Sequence, residues 1–240
     1  MLKIENVEIC GFAPAIRGMR NPKNSWAKSD SDFTSDLARE MSIESEFHLG
    51  SNDFELMETL ASAGTDHRKF LRMIVVYLDV IAPLYWWKEY DTYKVGTVAN
   101  SCSTMHKIAE KEFTLEDFSH EHLEPDALSV LEEVIHTMNV HRQWFNEGSF
   151  ASSKNDWWQM IQLLPSSYNQ RRTLMLNYEV LANIYNARRN HKLDEWHTFC
   201  DWIEALPYAQ LITGKETAAS SHQALPDLSL GAGLLEEAEK

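Results

Sequence analysis

Apolar and polar positions along this chain change their period several times, and each change marks an element. From Leu2 to Cys10 they alternate closely enough to predict a strand. Gly11 to Asp32 is rich in Gly, Pro, Asn and Ser and is expected to be loop, with one helical turn at most. Asn52 and Asp53 can cap a helix in which Phe54, Met57 and Leu60 share a face, closed by Gly64. Arg72 to Ile81 is dense in β-branched and aromatic residues and predicts a strand, with Asp79 its one acidic interruption. Pro83 is placed to open a helix reaching about Tyr93. Pro125 opens another, where Leu128, Leu131, Val134, Ile135 and Met138 recur at helical spacing. A short helix from about Asp156 to Leu163 stops before Pro165, and Arg172 to Asn177 predicts a short strand. Tyr178 to Arg189 and Asp194 to Leu206 read as two helices joined by a turn. Strands mixed among more numerous helices, without an internal repeat, point to an α+β or mixed α/β fold rather than a bundle.

Composition narrows the function classes. The chain has 240 residues, 44% of them hydrophobic, enough for a sizeable core. The expected organisation is one domain over 1–213 and a mobile tail over 214–240, which is rich in Ala, Ser, Gly and Glu and has no aromatic residue. A net charge of −14 disfavours non-specific duplex binding, which needs clustered Lys and Arg, but leaves room for a small phosphate in a local basic pocket. Cys10, Cys102 and Cys200 are too far apart for a disulfide framework or a zinc knuckle. That usage fits a reducing compartment, and MLKIENVEIC lacks the apolar run of a signal peptide. No stretch of about 18 apolar residues is present to span a membrane. A cytoplasmic protein is the expectation.

Several clusters invite chemistry. His120 with His122, and His136 with His141, suggest metal ligands, but no Cys or Asp arrangement completes a site, so no metal is expected. Cys102 beside Lys94 and His106 is a candidate nucleophile or an inert thiol. The run Tyr85-Trp86-Trp87-Lys88-Glu89-Tyr90 suggests a subunit interface or a ligand wall. Arg17, Arg20 and Lys23 form the most basic stretch and could cradle a phosphate in a Gly/Pro loop.

Two segments carry a family resemblance. Ala82-Pro83 follows the strand, and the window Thr92-Tyr93-Lys94-Val95-Gly96-Thr97-Val98-Ala99-Asn100-Ser101-Cys102 then falls on an Arg-His-Arg-x-x-Ser-x-Asn-Glu-x-Ser signature. Shifting the register by one residue aligns Asn100 and Ser103 with its Asn and last Ser. Downstream, Leu164-Pro165 precedes a helix patterned Asn177, Leu181, Asn183, Asn186, followed by Arg188. This resembles the flavin-dependent thymidylate synthases, in a divergent form with a degraded signature. The resemblance covers about residues 50–206. It implies the thymidylate-synthase-complementing-protein-like fold, with a sheet flanked by helices, and a homotetramer with sites built from several subunits.

The resemblance also implies roles. Arg188 would meet the pyrimidine ring of a deoxynucleotide, and His67 would position cofactor or carbon donor. Tyr93, Lys94, Asn177 and Asn183 fall on flavin (FAD) contacts, while Glu89, Asn100, Cys102, Ser103, Arg17 and Arg20 are assigned to substrate. The departures are large. The signature's Arg-His-Arg is Thr92-Tyr93-Lys94, a nucleotide-holding Gln is Glu89, and Arg positions are Thr104, Ile161 and Glu179. Losing guanidinium forks removes bidentate anion recognition, which argues against firm FAD binding and against an ordinary deoxyuridylate site. The leading expectation is pyrimidine-nucleotide binding, with flavin-assisted one-carbon transfer as its active form. The rival is a catalytically silent nucleotide-binding, sequestering or assembly protein on the same fold.

Overall fold

The computed structural model describes residues 1–33, 47–148 and 153–215. The elements are β1 (Lys3–Cys10), α1 (Phe12–Arg20), β2 (Asp32–Phe33), β3 (Phe47–His48), α2 (Ser51–Ser62), β4 (Val75–Pro83), α3 (Leu84–Tyr90), β5 (Val98–Ser101), α4 (Pro125–Glu147), α5 (Ser153–Leu163), β6 (Asn169–Asn177), α6 (Tyr178–Arg188), α7 (Asp194–Glu204) and α8 (Gln210–Thr213). Four strands form one sheet in the order β1-β4-β6-β5, and β2 pairs with β3 in a separate ribbon. β5 runs antiparallel to β6, with Val98 opposite Met175 and Asn100 opposite Thr173. Helices and an antiparallel pairing make this the mixed α+β architecture that the patterning predicts.

Two compact units share the chain. The first gathers Met1–Val7, Tyr77–Met175 and His191–Phe199; the second gathers the described parts of Glu8–Val76, Leu176–Asn190 and the chain from Cys200 on.

In the first unit, the aromatic run predicted as an interface or ligand wall is core instead. Trp86, Trp87 and Tyr90 are 0%, 1% and 2% exposed, and Trp196 and Phe199 from α7 close over them. The reason is helical geometry: positions 86, 87 and 90 lie on one stripe of α3 and leave Lys88 outside. Pro83 ends β4 and caps α3 rather than occupying its first turn. A second cluster joins Leu131, Ile135 and Met138 of α4 to Met160 of α5 and to Phe113 and Phe118. Asp79, the acid inside β4, is held by the Thr173 hydroxyl, by Asn6 at 2.9 Å and by Arg171 at 3.3 Å, so its charge is answered across the sheet. The short strand β5 was not legible in the sequence; four exposed residues give it no alternation.

The second unit corrects two expectations. Phe12–Arg20 is a nine-residue helix, not loop, with Phe12, Ala15, Ile16 and Met19 buried. Glycine and proline misled the reading: Gly11 sits before the helix at φ +101°, where a Cβ would overlap the Met73 carbonyl oxygen, and Pro14 falls in the first turn, which tolerates it. The α2 cap is also different. Asp30 accepts from the Asn52 and Asp53 backbone N–H groups at 2.9 and 3.1 Å, so the capping carboxylate comes from outside the local sequence. Residues 68–73 form a 3-10 segment, which delays β4 to Val75. Gly214 at φ +66° follows α8, and Lys215 bonds Glu204 at 2.5 Å. The tail beyond it, 216–240, lies outside the described residues.

Candidate functional site

The sequence-derived candidates divide between the units. In the first, α3 directs Glu89 to the side of the aromatic core. Its Oε2 accepts the Trp196 indole N–H at 3.0 Å and stands 3.2 Å from His191 Nε2. The Tyr93 ring is 6.1 Å from Trp196 and 6.4 Å from Tyr90, and its carbonyl accepts the Thr97 hydroxyl at 2.5 Å. Lys94 is exposed.

Asn100 lies on the exposed strand β5. At the end of that strand, the Cys102 N–H donates to the Arg171 carbonyl at 2.9 Å, and the Cys102 carbonyl accepts the Gln170 amide at 2.8 Å. The Cys102 thiol is free and exposed. Ser103 accepts the backbone N–H groups of Met105 and His106 at 3.2 and 2.9 Å, which makes it a turn former. Next to this edge, Arg172 stacks 4.2 Å over the Trp87 ring and pairs with Asp91 at 2.7 Å.

The second unit holds the remaining candidates. Asn177 is the N-cap of α6, its side-chain oxygen accepting the Val180 N–H at 3.0 Å. Two residues on, Glu179 is 6% exposed and meets Arg68, with Nε 2.8 Å from Oε2 and Nη2 donating to Oε1 at 3.1 Å. The same Nη2 donates to Asn183 at 3.3 Å. Arg68 thus sits where Glu179 needs a cation, and its neighbour His67 is exposed. Arg188 ends α6 and is half-buried.

Arg17 and Arg20 are helical residues rather than members of a loop cradle. Arg17 is exposed, while Arg20 is 4% exposed and donates through Nε to Asp53 at 2.5 Å. Asp53 is a hub that the sequence did not reveal. Its second oxygen accepts the Ser29 hydroxyl at 2.7 Å, the Asp30 and Ser31 N–H groups at 3.1 and 3.0 Å, and the Ser31 hydroxyl at 2.6 Å. Burial alone pushes this carboxyl up, but hydrogen bonds from Ser31, Ser29 and Arg20, with the Arg20 charge, outweigh it and hold the group below its ordinary range. The hub borders a cavity of about 400 Å³ lined by Arg20, Lys23, Ser25, Lys28, Asn52 and Leu56.

Three of the four clustered histidines have partners within the fold. His120 contacts the Phe118 carbonyl at 2.8 Å, His122 meets Asp194 at 3.0 Å, and His141 meets Asp156 at 2.9 Å. Among the described residues, no group of three or more His, Cys, Asp or Glu is placed to hold a metal.

A sheet in the order β1-β4-β6-β5 with these helices gives the chain the fold of the flavin-dependent thymidylate synthases. Two crystal structures of the flavin-dependent thymidylate synthase ThyX from Helicobacter pylori, both with FAD and dUMP, superpose with TM-scores of 0.62 and 0.60 at 15% identity. The matches cover 88% and 89% of this chain and 98% of each synthase chain. No protein-family model matches the chain, and no curated protein matches it.

The fold is therefore shared while the residues are rewritten. Two departures from the synthase pattern, Glu89 and Glu179, have internal partners in this chain: Trp196 with His191, and Arg68. In the sequence Arg68 stands within the charged cluster Asp66-His67-Arg68-Lys69, a candidate catalytic cluster, but no local signal ties Arg68 to Glu179 or Trp196 to Glu89.

Proposed function

We propose that the protein binds a pyrimidine deoxynucleotide on the flavin-dependent thymidylate synthase fold. The carrying observation is the extent of the structural match: it spans 98% of a synthase chain whose structure holds FAD and dUMP. In this reading Arg188 faces the pyrimidine ring and His67 positions the cofactor or carbon donor. Lys94 and Arg17, both exposed cations, supply anion contacts. Arg20 adds little, because Asp53 already neutralises it. Asn100, Cys102 and Ser103 supply an exposed polar run beside the substrate. The assembly is a homotetramer in the cytoplasm.

FAD fits these residues poorly. The Asn177 side-chain oxygen caps α6 and the Asn183 oxygen accepts from Arg68, which leaves only their amide N–H groups to donate. Tyr93 is tied into aromatic packing, and Lys94 is the sole cation of the set. No guanidinium stands among the four to hold a flavin or its phosphates. The protein as purified is expected to carry little flavin.

A second reading is favoured by Glu89 and Glu179. A site built to take a phosphate gains nothing from carboxylates already locked to internal donors. A catalytically silent relative that binds or sequesters a nucleotide, or serves in assembly, accounts for both residues.

Calorimetric titration with deoxyuridylate and thymidylate, alongside a visible spectrum, separates the readings. Binding that Arg188→Ala weakens by roughly ten- to a hundredfold, the loss of a charge-assisted hydrogen bond, supports the nucleotide site. A yellow protein with stoichiometric flavin restores the enzyme. No nucleotide binding leaves the assembly role.

A further inference from the structure

The basic stretch near the N-terminus folds into a feature that the nucleotide reading leaves unused. The helix α1 ends at Arg20, a 3-10 turn covers Asn21–Lys23, and a second covers Trp26–Lys28. Asn24 at φ 47° reverses the chain between the two turns. The whole segment is tied down. Arg20 Nη1 donates to the Ser25 carbonyl at 3.3 Å, the Trp26 indole donates to Asn21 at 2.8 Å, and Asp53 collects Ser29, Asp30 and Ser31. Lys23 and Lys28 are therefore carried on backbone whose position is fixed before any ligand arrives.

Charge makes the place unusual. In a chain of net charge −14, the described lining of this cavity is Arg20, Lys23, Ser25, Lys28, Asn52 and Leu56, with three cations and no carboxylate. The Arg20 charge is answered by Asp53, and the nearby Asp30 is occupied by the α2 backbone. Lys23 and Lys28 have no carboxylate partner among the described residues. Two lysines without a carboxylate partner among the described residues, Ser25 and Asn52 thus line one concavity of about 400 Å³. That volume lies within the roughly 300–1,000 Å³ of small-molecule sites.

We propose that this cavity binds the phosphate groups of a phosphorylated small molecule. Lys23 and Lys28 bracket the phosphates as mobile point charges, the way Lys ordinarily meets a phosphate. Ser25 and Asn52 donate neutral hydrogen bonds. Leu56 in the lining, and the Trp26 ring on the intervening turn, 52% exposed, offer apolar surface to the organic portion. Arg20 acts as a positioning residue, holding the Ser25 carbonyl and the Asp53 hub in place.

Inorganic pyrophosphate is the probe, titrated calorimetrically into the full chain at low salt. Lys23→Gln/Lys28→Gln is the variant, since both side chains are exposed and their loss leaves the core intact. The expected result is a dissociation constant at least tenfold higher in the double variant, with an unchanged thermal midpoint in the absence of ligand. Lys107→Gln, far along the chain, should bind as wild type does. A pyrophosphate-dependent rise in melting temperature should appear in the wild type and vanish in the double variant. Wild type that does not bind pyrophosphate, or a double variant that binds it equally well, overturns the proposal. The inference does not depend on the nucleotide reading: Arg188→Ala should leave pyrophosphate affinity unchanged, and failure of deoxyuridylate to bind would count against that reading alone.

Discussion

The Glu89 carboxylate on α3 accepts the indole N–H of Trp196 on α7 at 3.0 Å, while His191 closes on the same oxygen at 3.2 Å. A residue that the family resemblance assigns to the nucleotide is thereby engaged inside its own unit. Glu89→Gln keeps an acceptor for Trp196 and removes the negative charge. It should cost less than about 1 kcal/mol of stability and strengthen deoxyuridylate binding roughly tenfold. Chemical denaturation and calorimetric titration of the pair check both halves; unchanged affinity would separate Glu89 from the nucleotide.

Glu179 is nearly buried and meets Arg68 through two atoms. Arg68→Ala would strand that carboxylate and should cost about 2–4 kcal/mol. Arg68→Met combined with Glu179→Leu removes both charges and should recover most of the loss. Urea unfolding of Arg68→Met, Glu179→Leu and the double variant gives the coupling; additive losses would show that the pair does not act as a unit.

Stability should fall in acid through Asp53. Its carboxyl is held below the ordinary range, so the unfolded chain takes up the proton first as pH drops. The stabilisation is complete above the unfolded value, about 4, and is lost as pH falls from there through the lower folded value. Asp53→Asn should lower stability at neutral pH by about 3 kcal/mol and flatten this acid limb. Thermal midpoints from pH 2 to pH 7 provide the test, and an equally steep limb in the variant would assign the acid loss to other carboxyls.

Tyr90 is 2% exposed, and its hydroxyl has no hydrogen-bond partner among the described residues. Burial pushes its ionisation upward, with the Asp91 charge adding to the effect. Tyr90→Phe removes an unsatisfied polar atom and keeps the ring stack on Trp86 at 5.2 Å. The variant should be as stable as wild type or up to about 2 kcal/mol more stable. A loss above about 1 kcal/mol would mean that the hydroxyl is bonded in solution.

The strand β5 lies at the sheet edge with all four residues exposed; its first residue, Val98, is 52% exposed, and Val95 just before it is 90% exposed. Open edges and apolar surface of this kind are ordinarily covered. Light scattering should give a mass several times 27.7 kDa. A monomer at micromolar concentration would remove the homotetramer and any site shared between copies.

Hydrophobic period alone determined most of the elements. The 3.6-residue stripe of Leu131, Ile135 and Met138 and the β-branched run before Pro83 are local signals, and both give the expected element, the strand starting three residues later than its pattern does. The order of Asn177, Leu181, Asn183 and Arg188 was likewise enough to point to the fold. Tertiary structure decided what no local pattern encodes. Asp30 caps α2 from 22 residues away in sequence, Asp53 organises a loop and a helix, Trp196 answers Glu89, and Arg68 answers Glu179. Each is a polar group whose burial demands a partner, and the identity of that partner depends on which distant segment the fold brings within 3 Å or so of it. Periodicity reports which face a residue turns inward; it carries no information on what it meets there.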